Sequence, residues 1–128
     1  MSADYPEKYL EGIRLFNEEE FFDCHDVLEE LWGEIIGEEK HFYQGLIQAA
    51  VALFHFGNEN LGGARKLYES STKLLSSYPD QYMGMELKEF LDAMTHCFQE
   101  LLVATDRYPE GVYLRDEWVP QIQFHPDE

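Results

Sequence analysis

His25 and Glu29 stand four residues apart in the run Phe16-Asn-Glu-Glu-Glu-Phe-Phe-Asp-Cys-His-Asp-Val-Leu-Glu-Glu-Leu-Trp32. One helical turn apart, an imidazole and a carboxylate are neighbours on a helix surface and can share a proton, a metal or a ligand. Advancing about 100° per residue places His25 near the centre of an apolar arc that includes Phe21, Cys24, Leu28, Leu31, Trp32, Ile35 and Ile36. Glu29 falls at the edge of that arc, between Ile36 and Phe22, whereas Asp23, Asp26, Glu30 and Glu34 point away. A carboxylate there is expected to be paired, protonated or at a cleft, because burying it alone is costly.

A second block, Phe42-Tyr-Gln-Gly-Leu-Ile-Gln-Ala-Ala-Val-Ala-Leu-Phe-His55, supplies Gln44, Gln48 and His55 on one narrow stripe of an otherwise apolar helix. If the two helices form an antiparallel hairpin about Gly37 or Glu38, His25 comes level with Gln48 and Glu29 with Gln44. Gly45, Ala49 and Ala52 would then allow close approach. Trp32 and Tyr43 would wall the resulting polar patch with apolar surface, as small-ligand pockets require. The leading reading is thus a helical binding module with a small polar ligand site of His25, Glu29, Trp32, Tyr43, Gln44, Gln48 and His55.

Two readings of other kinds stand beside it. His25, Glu29 and His55 offer nitrogen and oxygen donors that zinc accepts, so a divalent metal and a bound water would make a hydrolase. The usual His-Glu-x-x-His motif is absent, since Glu29 stands where its second His would be. Alternatively the same polar stripe is a hydrogen-bonded structural network or simply faces water. Whether the protein is an enzyme stays open. Cys24, beside His25, is a poor nucleophile candidate, because adjacent helical residues diverge. Arg65 and Lys66 follow Gly62 and Gly63 at a helix start that suits an anion, but Glu59 opposes it and a plain connection is preferred.

Composition narrows the partners. Nine basic and 26 acidic residues in 128 give a net charge of −17, which argues against nucleic acid and anionic membranes. Residues 1–40 alone carry 13 acids against three bases. Apolar content of 45%, with 15% aromatics, excludes a disordered chain and suffices for one core. No apolar window is long enough to span a bilayer. The first residues show neither a basic nor an apolar leader segment, and Cys24 and Cys97 lack a CxxC spacing. A cytoplasmic protein with reduced thiols is expected.

The elements that must position these side chains are helices. The fold class is all-α: one domain over residues 1–128, a compact array of about five helices with an extended aromatic tail. Periodicity predicts helices over Pro6–Phe16, from a capping box of Asn17 and Glu20 to Ile36, over Glu38–Phe56, from Leu61 to Leu75, and over Met85–Thr105. No β-alternation is evident. Residues 106–128 read as an irregular tail whose Tyr113, Trp118 and Phe124 should pack on the bundle or on another subunit. A homo-oligomer through that tail is the simplest interaction-module reading.

Phe21-Phe-Asp-Cys-His25-Asp-Val-Leu-Glu29-Glu-Leu-Trp32, then Phe42-Tyr-Gln-Gly-Leu-Ile-Gln48-Ala-Ala-Val-Ala and Gly57-Asn, together resemble the domain-of-unknown-function family 309. The resemblance covers roughly residues 9–75, which form the core motif region. It implies an all-α array of about five helices and no established biochemical activity. His25, Glu29 and Trp32 match the family's histidine, carboxylate and tryptophan, and Tyr43, Gln44 and Gln48 match its second block. Asp26 departs from the glutamate that commonly follows the histidine.

Overall fold

The computed structural model describes residues 5–126. Helix α1 (Glu7–Asn17) buries Tyr9, Ile13 and Phe16 at helical spacing and starts after Pro6, whose extended backbone suits an N-cap. Helix α2 (Phe21–Glu34) follows a tight reversal in which Glu19 takes a φ of 62° and the Glu20 N–H donates to the Leu15 carbonyl at 2.9 Å. Such a left-handed residue closes a helix end by satisfying its orphan carbonyls.

Two expectations about α2 are corrected. Asn17 does not cap it. Asn17 lies in the last turn of α1, and its amide clasps the tail instead, accepting from Ile122 N at 2.7 Å and donating to Ile122 O at 3.1 Å. The helix also ends at Glu34 rather than Ile36. Lys40 explains the early stop: its ammonium donates to the Trp32 and Ile35 carbonyls at 2.8 and 3.2 Å, fixing Ile35 in an extended conformation. Ile36, assigned to the apolar arc, is consequently 99% exposed.

Helix α3 (Glu39–Gly57) is the central element, burying Phe42, Tyr43, Leu46, Ala50, Leu53 and Phe56 among others. It packs against α2 on one side and helix α4 (Leu61–Leu75) on the other. Gly45 serves the second contact, not the first. A Cβ on Gly45 would fall 2.6 Å from Leu75 side-chain carbons, and Ser71 Oγ donates to the Gly45 carbonyl at 2.7 Å. Asn60 caps α4 by accepting from Gly63 N at 3.1 Å. Arg65 is spent on helix α5 (Leu87–Val103), donating to the Leu101 and Ala104 carbonyls, so the loop is a helix connection rather than an anion site.

Helix α5 closes the core by stacking Phe98 on Tyr68 and setting it at a tilt against Phe56, with ring centroids 4.8 and 4.9 Å away. Between α4 and α5 lies a small ribbon that the sequence does not signal, strands β1 (Gln81–Tyr82) and β2 (Met85–Glu86). Its turn, Met83-Gly84, has φ of 50° and 75°, the double positive of a type I′ hairpin. Two-residue strands are too short to show alternation. The tail bridges Met85 through Phe124, and Phe124 sits against Tyr5 and Tyr9 at 5.3 and 6.0 Å. A Cβ on Gly84 would fall 2.7 Å from the Phe124 ring, so the turn and the tail both need glycine there. Trp118 packs on His96, and Arg115 pairs with Glu100 at 2.9 Å. The tail therefore packs on its own bundle. The five helices and the minor ribbon make the fold essentially all-α. Among the described residues no helix is long and apolar enough to cross a membrane.

Candidate functional site

Side chains of α2, α3 and α4 enclose an open cleft of about 330 Å³. Helix α2 contributes His25, Glu29 and Trp32, α3 contributes Gln44, Ile47, Gln48 and Val51, and α4 contributes Leu67. The α3 set recurs at three- and four-residue steps, so it is one stripe of a single helix face. Apolar walls with a few convergent polar groups are what small-molecule sites have in common.

His25 is held on both sides. Its Nδ1 lies 2.9 Å from the Phe22 carbonyl and 3.3 Å from Asp26 Oδ1, and its Nε2 lies 3.1 Å from Glu29 Oε2. Every partner is an acceptor. The ring is thereby fixed in orientation between the helix backbone and the cleft rim. The side chain of His25 is 20% exposed and that of Glu29 is 56% exposed. Glu29 is thus at a cleft rim and paired, not buried, because no element covers the outer flank of α2 there.

Two groups inside the cleft differ from the rest. Trp32 Nε1 and Gln48 Oε1 are both buried, and neither has a hydrogen-bond partner among the described residues. Leaving a buried donor or acceptor unmade costs about 1–3 kcal/mol. Trp32 is held rigidly all the same, since the Lys40 ammonium lies 3.9 Å from its ring centroid as well as on its carbonyl.

The structure does not bring every expected residue to this cleft. Tyr43 is fully buried on the adjoining face of α3, with its ring 5.7 Å from Tyr9 and its hydroxyl donating to Met83 Sδ at 3.6 Å. One residue of rotation separates it from Gln44 and turns it towards α1. His55 lies in the last turn of α3, where its Nδ1 is 3.4 Å from Asn60 Nδ2, so it serves the α3–α4 connection. The ion triad of His25, Glu29 and His55 is accordingly not assembled. Asp26 joins His25 and Glu29 instead, with ligand atoms within 4.8 Å of one another. Its carboxylate faces the ring nitrogen opposite the one that faces Glu29. Cys24 is buried and donates to the Gly12 carbonyl at 3.2 Å, and burial pushes its thiol up to about 12, which removes it as a nucleophile.

Sequence reasoning missed Ile47, Val51 and Leu67. The first two were legible as neighbours of Gln44 and Gln48 on one stripe, but Leu67 depends on how α4 packs. Phe22 and Phe54 were also missed as a pair. Their rings lie 5.4 Å apart, beside His25, as a partly exposed aromatic extension of the rim.

The cleft lies wholly within a span with known relatives. Residues 9–67 match the family described as Domain of unknown function (DUF309). All of the cleft residues, from His25 to Leu67, fall inside that span. The chain is 30% identical over 101 residues to "Uncharacterized protein YpuF" of Bacillus subtilis (strain 168), covering 76% of this chain and 58% of that protein. It is 35% identical over 75 residues to an "Uncharacterized protein" of Aquifex aeolicus (strain VF5), covering 58% of this chain and 22% of the relative. The chain thus spans less than two thirds of either relative. The DUF309 domain has no established activity, and neither relative's name supplies one.

Proposed function

We propose that this protein is a cytoplasmic binding module for a small organic ligand, held in the cleft between α2 and α3. The observation that carries the reading is one apolar-walled cleft onto which the His25–Glu29 pair, Trp32, Gln44 and Gln48 converge. Two of these residues carry a covered polar atom without a partner among the described residues, Trp32 Nε1 and Gln48 Oε1, an arrangement the packing of the fold does not itself explain. His25 and Glu29 add a charged rim on the solvent side. The cytoplasmic assignment rests on Cys24 and Cys97, both buried and unpaired.

The experiment is a fragment screen read by 15N–1H spectra, with the indole resonances of Trp32 and Trp118 assigned by single Trp→Phe variants. A binder at the cleft shifts the Trp32 indole and the Gln48 side-chain amide and leaves Trp118 unmoved. A broad screen in which no fragment moves Trp32 would remove the reading.

A further inference from the structure

Helices α2, α3 and α4 lie side by side, and their open face carries more than the cleft. Phe22 and Phe54, 53% and 37% exposed, continue the apolar stripe of Ile47 and Val51 past His25. The tail is engaged elsewhere, with Phe124 on Tyr5 and Tyr9 and Trp118 on His96.

Charge on this face is divided between its two edges. On α2, Asp26, Glu29 and Glu30 are exposed. On α4, a step of about 100° per residue sets directions from contacts already in place. Arg65 reaches α5, Ala64, Tyr68 and Ser71 face the core, and Leu67 lines the cleft. Continuing round the helix in the same sense, Lys66 and Lys73 come next, beyond Leu67, and both are exposed. Among the described residues neither makes an ion pair; the paired Lys and Arg side chains are those of Lys8, Arg14, Lys88 and Arg115.

Contacts fix the heights as well. Phe22 lies against Phe54, a Cβ on Gly63 would fall 3.1 Å from His55, and Ser71 bonds to Gly45. At a rise of about 1.5 Å per residue, Lys66 is level with Asp26, and Lys73 with Glu30, to within about half a turn. Phe22 is level with Gly63, next to Gly62, whose Cβ position opens onto empty space. Edges of opposite sign thus stand at matched heights on either side of an apolar stripe.

Such a face is complementary to itself. A two-fold axis running along α3 lays α2 of each copy on α4 of the other and preserves every height. Asp26 and Glu30 then meet Lys66 and Lys73, and Phe22 meets the bare Gly62–Gly63 turn. An axis across α3 would instead lay α2 on α2 and set acid against acid. We propose that this face docks a second copy of the chain, α2 on α4, in a two-fold dimer in which each copy roofs the other's cleft.

Size-exclusion chromatography with light scattering tests the dimer, in about 0.15 M salt, where a screening length of about 8 Å damps the net −17 of each copy more than the direct contacts. The full chain should show a mass near twice 15.1 kDa. Lys66→Glu with Lys73→Glu sets acidic groups on both edges, and Asp26→Lys with Glu30→Lys sets basic groups on both. Each double variant alone should run as a monomer. An equal mixture of the two should regain the doubled mass, which also shows that both are folded. A wild-type chain that stays at 15.1 kDa overturns the dimer. A dimer that either variant keeps on its own lies on another face and overturns this one, and a mixture that stays monomeric overturns the pairing of α2 with α4. A monomeric chain whose Trp32 indole still answers a fragment would discard the dimer and leave the cleft reading standing.

Discussion

The ammonium of Lys40 lies 3.9 Å from the centroid of the Trp32 ring and donates to the carbonyl of the same residue at 2.8 Å. One side chain from the start of α3 therefore fixes both the end of α2 and the orientation of the indole that lines the cleft. This contact ties the helix boundary to the candidate site.

Replacing Lys40 by Met keeps the apolar stem and removes the charge. Losing a cation–π contact and two partly solvated charge-assisted hydrogen bonds should cost about 1–2 kcal/mol. Urea denaturation measures the cost, and the Trp32 indole resonance should broaden or split as the ring loses its single orientation. An unchanged midpoint and an unmoved indole would show that Lys40 is incidental.

Glu29→Gln should be nearly neutral for stability, within about 0.5 kcal/mol, because an exposed one-turn pair contributes little. Burial of Glu29, as the wheel suggested, would have implied a larger loss. Glu30→Gln, also exposed, is the control, and equal small effects are expected in urea. A loss well above 1 kcal/mol in Glu29→Gln alone would mean that the pair is a structural network.

Asn17→Ala should cost about 1–3 kcal/mol, since it leaves both peptide groups of Ile122 without their clasp. Amide exchange at Ile122 and His125 should quicken in that variant while exchange in α3 holds. Truncation after Arg107 removes Ile122 and Phe124 from the core and should lower the melting temperature. A truncated chain that melts normally would detach the tail from the fold.

Burial pushes the thiols of Cys24 and Cys97 from 9.0 up to about 12. The folded state thus holds its protons where the unfolded chain releases them. Stability from this source is complete below about pH 9 and is lost as pH rises from there towards 12. Burial raises the Tyr9 and Tyr43 hydroxyls as well, extending the loss in the same direction. Urea midpoints should fall through this range. A thiol reagent at pH 8 should label neither cysteine until the chain unfolds.

His25, Glu29, Trp32, Gln44 and Gln48 were legible because each helix announces its own face and a hairpin aligns heights. Tyr43 and His55 were misplaced for a physical reason: a hairpin fixes height but leaves rotation free, and one residue of rotation turned Tyr43 into the core. Asn17 resembled a cap because its local pattern fits one, yet a partner more than 100 residues away took its amide. The wall residue Leu67 and the β ribbon depend on such distant contacts, which no local period encodes.

The central claim is that Gln48 is retained for a ligand and not for the fold. Gln48→Met keeps the unbranched stem and removes the unpartnered acceptor, so urea denaturation of this variant tests the claim most directly. The account predicts stabilisation by about 1 kcal/mol or more, together with loss of every ligand-induced shift at Trp32. Destabilisation of similar size would contradict it, by showing that the Gln48 amide supports the structure.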